Sequence, residues 1–400
     1  MNRQRTIILG GTLVALIAAL NVAQHALGAA QGDMVDAPRF EVDPFWPKPL
    51  PNHWVLGNTI GVGVDANDHV FIVHRVDTFQ PTELGLAQKA SECCTPAPPV
   101  LEFDPEGNVV KAWGGPGEGY TWPSSNHGIA IDNKDNVWIG GNGTNDSHIL
   151  KFTHDGKFLM QIGIPGRVPI ASPAPGFTAG NSKAMDHFGR VAKVSFDIGA
   201  NEAFVADGYL NKRIAVLDMN TGAIKRFWGG YGKVPSDTNY GPYSPDSALI
   251  PQFRTPVHCA EPSTDGLVYV CDRPNDRIQV FRKSGEFVKE VRIFPKTLGD
   301  GSVWDIAFSK DAAQKYLYLA DGKNERIYVM DRQSLEILTS FGDGGRQPGM
   351  WFAVHSIATD SKGNIYTTET YRGQRVQRFL YKGLATVTKE DQGVLWPAKK

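Results

Sequence analysis

The sequence predicts an all-β protein, a six-bladed β-propeller with four antiparallel strands in each blade. One strand motif recurs six times, at intervals of about 45 to 65 residues, and a turn and an apolar run follow it. The six copies are NTIGVGVD, SNHGIAID, RVAKVSFD, PVHCAEPS, SVWDIAFS and AVHSIATD. Frequent glycine and proline, 43 and 26 residues, suit the many turns of one large all-β domain.

Each repeat contains the signals for four strands, taken in order. The motif itself is the first strand, and a turn such as Asp265-Gly266 followed by a β-branched or aromatic run such as VYVC completes a hairpin. A third strand follows, as in RIAVLD or RIQVFR, and the fourth often ends at an aromatic-glycine pair such as Trp228-Gly229. Four strands per repeat is the composition of a propeller blade.

The ends of the chain predict how the ring closes. A short strand pattern at 39–43 precedes the first blade, and the chain after Phe379 is polar and poorly periodic. We expect the early segment to supply the outer strand of the last blade, which leaves no open sheet edge. The predicted propeller therefore spans residues 39–382, and residues 383–400 form a C-terminal tail.

The first thirty residues predict export. Arg3 and Arg5 precede an apolar stretch at 7–19 and a small-residue region that ends at Ala30, the pattern of a signal peptide over residues 1–30. The rival is an uncleaved membrane anchor, for which the apolar stretch is short. We expect a secreted or periplasmic protein that leaves the membrane after cleavage. The net charge of −1 argues against nucleic-acid binding. We expect a monomer acting on a small-molecule or peptide substrate.

Export permits disulfides, and the chain has four cysteines. Cys259 and Cys271 lie symmetrically about the Asp265-Gly266 turn, so we expect them to pair across a hairpin in blade 4. The adjacent Cys93 and Cys94 leave three alternatives, namely a vicinal disulfide, two free thiols or a partner outside the chain. A vicinal disulfide is the simplest of these.

A carboxylate precedes an arginine by five or six positions in four of the repeats. We interpret these pairs as structural ion pairs between the second and third strands. They are Asp207 with Arg213, Asp272 with Arg277, Asp321 with Arg326 and Glu369 with Arg375.

Three histidines occupy one register of the repeated first strand. His127, His258 and His355 stand five residues before the end of the motif in blades 2, 4 and 6, where the odd blades carry other residues. Because first strands line the channel of a propeller, one register in alternate blades places three imidazoles around one axis. The alternative is that these histidines merely cap inner strands. Three neutral imidazoles with an open fourth position describe a catalytic zinc site.

The loops that join second to third strands return to the face where the histidines lie, which we call the histidine face. Arg75 in VHRVD, Tyr209 in ADGYLNKRI and Arg273 in CDRPNDRI occupy these loops and are candidate catalytic residues. Long insertions should emerge on the same face and build walls around a site there. They are residues 77–99, 142–147, 164–187 and 231–252.

From residue 54 to 380 the chain resembles the lyase domain of peptidylglycine α-amidating enzymes, peptidyl-α-hydroxyglycine α-amidating lyase, an NHL-repeat-like propeller. CDRPNDRIQVFRKSGEFVKEV is the stretch of densest likeness. The resemblance implies zinc ligands in SNHGIAID, PVHCAEPS and AVHSIATD. It also implies an active-site arginine at Arg75 in a HisArg-x-Asp sequence, a catalytic tyrosine at Tyr209 in an Asp-Gly-Tyr sequence, and a second arginine at Arg273.

The likeness is incomplete at the third histidine. The family reads Met-Pro-His-Asp there, with the aspartate helping to bind a structural calcium, and this chain has Ala353-Val354-His355-Ser356. The change argues against calcium in the channel. The family's disulfides also do not map onto the four cysteines of this chain.

The resemblance implies cleavage of an α-hydroxyglycine-type carbinolamide to an amide and glyoxylate. Zinc would activate the substrate hydroxyl, Tyr209 would accept its proton, and Arg75 and Arg273 would bind the carboxylate. One alternative is another zinc lyase or hydrolase on a small hydroxylated or ester substrate. Another is a non-catalytic propeller that binds a peptide, glycan or protein around a structural metal. A calcium-dependent lactonase would need carboxylate and amide ligands at this register instead of imidazoles.

Overall fold

Six four-stranded antiparallel sheets form a propeller in the computed structural model, as the sequence predicts. The structure describes residues 33–167 and 180–397, so the predicted signal peptide lies outside the described part. Within that part, no helix is long and apolar enough to cross a membrane.

Each of blades 1 to 5 consists of four consecutive main strands. In blades 1 and 2 these are Asn58–Val64, Val70–Arg75, Val100–Phe103, Val109–Trp113, then Asn126–Ile131, Val137–Gly141, His148–Phe152, Phe158–Gly163. In blades 3 and 4 they are Lys193–Asp197, Glu202–Asp207, Arg213–Asp218, Ile224–Trp228, then Val257–Pro262, Leu267–Asp272, Arg277–Arg282, Phe287–Arg292. In blade 5 they are Asp305–Phe308, Tyr316–Asp321, Arg326–Asp331 and Ile337–Phe341.

Blade 6 closes the ring by joining the two ends of the chain. Its strands are Val354–Thr359, Ile365–Glu369 and Val376–Thr388, and its outer strand is the N-terminal segment Met34–Asp43. The prediction that the early segment supplies this strand is confirmed. The pairing begins before residue 39 and continues past residue 382, from Met34 opposite Thr388 to Asp43 opposite Arg378.

The core consists of six apolar clusters, one at each interface between neighbouring blades. The first strands of the blades contact one another in a closed ring around the channel. Each blade has apolar side chains on both faces of its sheet and cannot bury them alone, so its stability depends on its two neighbours. This mutual packing fixes the inner strands, which carry the three histidines.

Three of the four predicted carboxylate–arginine pairs are confirmed. Arg213 Nε lies 2.8 Å from Asp207 Oδ2, and the corresponding distance in blade 4 is 2.7 Å. Glu369 and Arg375 pair in blade 6. Arg213 also donates to the carbonyls of Ser182 and Ala184, so this pair fastens the preceding interblade loop to the blade.

The prediction of the fourth pair, Asp321 with Arg326, is wrong. Asp321 accepts hydrogen bonds from the side chain of Asn324 and from two backbone amides of its own loop. Arg326 instead reaches Asp391 in the C-terminal segment, 2.5 Å away. These donors, together with the hydroxyl of Tyr328, satisfy the carboxylate, which leaves the arginine available to a carboxylate outside the blade.

Both predicted disulfide links are present. Cys259 and Cys271 face each other across the first two strands of blade 4 and are bonded. Cys93 and Cys94 form the vicinal disulfide, which decides among the three alternatives. Two disulfides are consistent with an exported protein.

Candidate metal centre

Each of the three histidines lies at a break in the pairing of its first strand. In blade 4, Val257 pairs with Asp272 and Cys259 with Cys271, so His258 has no partner residue. The same irregularity occurs at His127 and at His355. Because a bulge redirects the side chain of its extra residue, these breaks explain why the three imidazoles leave the strand pattern and turn toward the channel axis.

The imidazoles are held by the carbonyl groups of the odd blades. Nδ1 of His127 lies 2.7 Å from the carbonyl oxygen of Ala192, and Nδ1 of His258 lies 2.6 Å from that of Trp304. Nδ1 of His355 lies 2.6 Å from the carbonyl oxygen of Ile60. A carbonyl can only accept, so each Nδ1 carries the proton and each Nε2 keeps a free lone pair.

The three histidines converge, as the sequence predicts. They offer one ligand atom each, all within 4.8 Å of one another, and each side chain is almost completely buried. Burial lowers the pKa of all three imidazoles, that of His355 to about 3, and repulsion from nearby positive charge adds to the effect. The imidazoles are therefore neutral at physiological pH. Neutral, buried and oriented in this way, they form a group that could hold a metal ion.

The hydroxyl of Tyr209 lies directly on this group. Its oxygen is 2.7 Å from Nε2 of His127 and 3.3 Å from Nε2 of His258. Because Nε2 of His127 is unprotonated, the phenol donates this hydrogen bond. Tyr209 follows the second strand of blade 3, whose end lies beside the start of the antiparallel first strand. The predicted base thus reaches the same lone pair that would bind a metal.

Arg75 lies at the end of the second strand of blade 1, on the histidine face. Its Nε donates to the carbonyl of Asn126, 3.0 Å away, and its terminal nitrogen donates to Oδ1 of Asn142, 2.7 Å away. Burial lowers the pKa of this guanidinium from its high ordinary value, opposed by nearby Tyr209. An arginine remains charged even so, and this charge helps to lower the pKa of His127 and of His355.

Arg273 stands on the other side of the group. Its guanidinium lies over the ring of Trp304 at 4.6 Å, and that ring also packs against His258 and His355. The side chain is 8% exposed, and its Nε donates no hydrogen bond to any residue that the structure describes. One terminal nitrogen lies 3.3 Å from Asp300. A buried guanidinium with unused donors is suited to bind an anion.

Sequence reasoning missed two residues of this site, Tyr371 and Asp300. The hydroxyl of Tyr371 donates a hydrogen bond to Asp300 at 3.2 Å, and Asp300 also accepts one from Arg273. Tyr371 interacts electrostatically with both Arg75 and Tyr209. A signal existed, because Tyr371 stands two residues after the carboxylate that ends the second strand of blade 6, the position of Tyr209 in blade 3.

The predicted insertions surround the site. Asn142, from the insertion at 142–147, contacts Arg75, and residues of the insertion at 77–99 share a cavity with Tyr371. Residues of the insertion at 231–252 share another cavity with Arg273. The last insertion, 164–187, is described at residues 164–167 and 180–187, and carbonyls of its second part bind the blade 3 arginine. The prediction that the insertions lie on the histidine face is confirmed for the described residues.

The channel carboxylates below the histidines do not fit a calcium site. Nζ of Lys193 lies 2.7 Å from Asp305 and 2.8 Å from Glu261. These neighbours raise the pKa of Lys193 despite its burial, so it stays charged. One ammonium therefore already pairs with both carboxylates. Ser356, at the position of the family's aspartate, donates its hydroxyl to the carbonyl of Ile60.

Fold and site together define a six-bladed β-propeller with a candidate metal centre in its channel. No protein-family profile matches the chain. Peptidyl-glycine alpha-amidating monooxygenase B of Xenopus laevis is 24% identical over 336 residues, covering 79% of this chain and 33% of that protein. NHL repeat-containing protein 3 of Mus musculus is 24% identical over 365 residues, covering 86% and 85%. Both are homologues at low identity.

The chain spans about a third of the length of the amidating monooxygenases that it matches. Among solved structures, a catalytically inactive virginiamycin B lyase from Staphylococcus aureus, with quinupristin, aligns with a TM-score of 0.46 and 15% identity. This alignment covers 88% of each chain.

Proposed function

We propose that this protein is a zinc-dependent lyase that cleaves an α-hydroxyglycine-type carbinolamide to an amide and glyoxylate. The observation that carries the proposal is the phenol of Tyr209, 2.7 Å from Nε2 of His127. A structural metal site would have a fourth protein ligand and no need for a base. Here a phenol stands beside three neutral imidazoles, and two guanidiniums, Arg75 and Arg273, lie on the same face.

The donor set fits zinc. His127, His258 and His355 would hold the ion through Nε2, each oriented by the hydrogen bond at its Nδ1. A bound zinc ion would supply Lewis acidity, which lowers the pKa of a coordinated hydroxyl. Imidazole ligands leave the ion more positive than carboxylate ligands would, because they are neutral.

The chain's own residues then perform the proton transfers. In the carbinolamide R–CO–NH–CH(OH)–COO⁻, Tyr209 as phenolate takes the proton of the hydroxyl. The carbon–oxygen bond becomes a double bond, the carbon–nitrogen bond breaks, and its electron pair moves to nitrogen. Tyr209 returns the proton to nitrogen, which gives R–CO–NH₂ and glyoxylate. Arg75 and Arg273 would bind the carboxylate and fix the carbinol carbon beside the phenol.

The relatives support a reaction of this kind. The amidating monooxygenases are named for peptide amidation, and the chain matches about a third of their length. We therefore also propose a peptide or small N-acyl substrate and a monomeric protein. The predicted signal peptide and the two disulfides favour a secreted or periplasmic location.

The test combines metal analysis with a product assay. Purified protein should contain about one zinc per chain. It should release glyoxylate from an N-acyl-α-hydroxyglycine, and none from the matching N-acylglycine, which lacks the hydroxyl. Removal of the metal with a chelator should abolish release, and added zinc should restore it. Metal-loaded protein that releases no glyoxylate would contradict the lyase proposal.

The second candidate is another zinc lyase or hydrolase with a small hydroxylated or ester substrate. The observation in its favour is the sequence Ala353-Val354 before His355, where the amidating family has methionine and proline. Turnover of a small ester with no glyoxylate release would favour this candidate. Zinc with neither activity would favour a non-catalytic propeller.

A further inference from the structure

A cavity lies beside the candidate metal centre, and Arg273 forms part of its lining. It holds about 420 Å³ and lies between the insertion at 231–252 and the loop that carries Leu298, and we call it the lateral cleft. Arg273 and Asp300 line both the cleft and the candidate site. Thr255, on the opposite wall, donates its hydroxyl to the carbonyl of Tyr209. The lateral cleft thus shares Arg273 with the candidate site and contacts the backbone of Tyr209 through Thr255.

The walls of the lateral cleft are largely apolar and aromatic. Tyr240, Tyr243, Phe253 and Leu298 line it. Leu298 is 56% exposed and Tyr240 is 37% exposed, although large apolar side chains on a surface are normally scattered singly. Two such residues on one concave surface indicate a ligand site, because ligand pockets are mostly apolar with few polar groups.

The lateral cleft is held open by hydrogen bonds in its walls. The hydroxyl of Tyr243 donates to the carbonyl of Pro295, 2.7 Å away, which fixes the ring. Arg254 donates from Nε to Asn275, 2.7 Å away, and binds the carbonyl of Gly241 in the insertion. A preformed cavity needs little ordering when a ligand enters, so its apolar surface contributes to affinity with little entropic cost.

We propose that the lateral cleft binds the acyl part of the substrate and selects a large, uncharged, apolar or aromatic acyl group. This inference rests on the proposed function. In a peptide the Cα atom before the hydroxyglycine lies about 3.8 Å from the carbinol carbon, so its side chain must enter a space that adjoins the metal centre. The lateral cleft adjoins it through Arg273. Lys212 and Arg254 in its lining disfavour a basic acyl group.

The test measures binding without turnover. N-(3-phenylpropanoyl)glycine places a ring where a phenylalanine side chain would lie, and N-acetylglycine lacks it; neither carries the reactive hydroxyl. By isothermal titration, the full chain should bind the phenylpropanoyl compound about tenfold or more tightly than the acetyl compound. N-(5-aminopentanoyl)glycine, which is similarly long but basic, should bind no better than the acetyl compound.

Variants locate the preference. The double variant Leu298→Ala, Tyr240→Ala should lose most of the difference between the phenylpropanoyl and acetyl compounds, with acetyl binding unchanged. Leu384→Ala is the matched control, because Leu384 is 59% exposed on the last strand of blade 6, and it should keep the whole preference. Both sets of substitutions remove exposed side chains, so folding should be preserved.

The outcomes separate this inference from the lyase proposal. Equal or undetectable binding of the two compounds, or a preference that the double variant keeps or the control loses, overturns the inference about the lateral cleft. The α-hydroxy forms of the compounds then test the lyase itself. No glyoxylate together with a preserved binding preference would contradict the lyase and leave the lateral cleft supported. Equally fast release of glyoxylate from the α-hydroxy phenylpropanoyl and α-hydroxy acetyl compounds, without a binding preference, would support the lyase and contradict the inference about the lateral cleft.

Discussion

Replacing Tyr209 by phenylalanine removes one oxygen atom at the centre of the candidate site. The ring would keep its packing against His127 and His258, where the centroids lie 5.0 and 6.0 Å away. The lost interactions are the hydrogen bond of 2.7 Å to His127 and the longer contact of 3.3 Å to His258. The three imidazoles and their carbonyl partners remain, so the variant should still bind metal.

The two expected magnitudes differ strongly. Loss of one intramolecular hydrogen bond should reduce the free energy of unfolding by about 1 kcal/mol. Loss of a general base should lower kcat by about 10² to 10⁴-fold. KM should change little, because the proposed carboxylate contacts come from Arg75 and Arg273 and not from the phenol. A large fall in kcat with small changes in stability, KM and metal content is the combination that general-base catalysis predicts.

The assay measures glyoxylate release from an N-acyl-α-hydroxyglycine, with zinc content and thermal unfolding determined on the same samples. Tyr120→Phe is the control, because Tyr120 is also a partly buried tyrosine, and its hydroxyl donates to the carbonyl of Gly115, 3.0 Å away. The control should keep wild-type kcat. If the Tyr209 variant turns over as fast as active wild type, the phenol is not the base, and the proposed reaction needs another proton acceptor.

Three further predictions concern the metal centre and the scaffold. His258→Ala should reduce bound zinc from about one per chain to nearly none, measured by metal analysis, because two imidazoles hold zinc weakly. Burial raises the pKa of Asp276 to about 7, and one of its oxygens has no hydrogen-bond partner in the described part of the chain. Between pH 3.8 and about 7 the carboxyl is therefore protonated in the folded state and ionised in the unfolded state, so the free energy of unfolding falls as the pH rises through this range. Asp276→Asn removes this titration, so it should raise the unfolding temperature at pH 8 and not at pH 4. Arg213→Ala breaks a buried ion pair and should lower the free energy of unfolding, measured by denaturant titration, by about 3 to 5 kcal/mol. Arg326→Ala, at a partly exposed pair, should lower it by less than about 1 kcal/mol. Equal losses would contradict the assignment of Arg213 to the scaffold.

The sequence was sufficient for the repeat, the register and the convergence of the histidines. These depend on periodicity, and a closed ring of equivalent blades converts sequence period into position around an axis. His127 and His355 are far apart in the chain, yet one register predicted their meeting because both open first strands. The disulfide between Cys259 and Cys271 was predictable for the same reason, since a tight turn fixes which residues face each other.

Features that depend on local departures from the repeat were not predictable. The breaks in strand pairing at the histidines have no common residue signal, because His127 is followed by glycine, His258 by cysteine and His355 by serine. The role of Asp300 depends on where an irregular loop before blade 5 crosses the histidine face. Arg326 failed as a scaffold prediction because its competitor, Asp391, comes from a segment outside the repeats.

The alternation of histidines with other residues has a physical basis in the parity of the ring. Each imidazole in an even blade donates to the carbonyl of the next odd blade at the same register. Donors and acceptors can alternate around a closed ring only when the number of blades is even, and six blades yield three donors. The three ring centroids lie 5.1, 4.8 and 4.8 Å apart, an almost equilateral triangle. On the histidine face of this triangle, the phenol of Tyr209 contacts Nε2 of His127 and of His258.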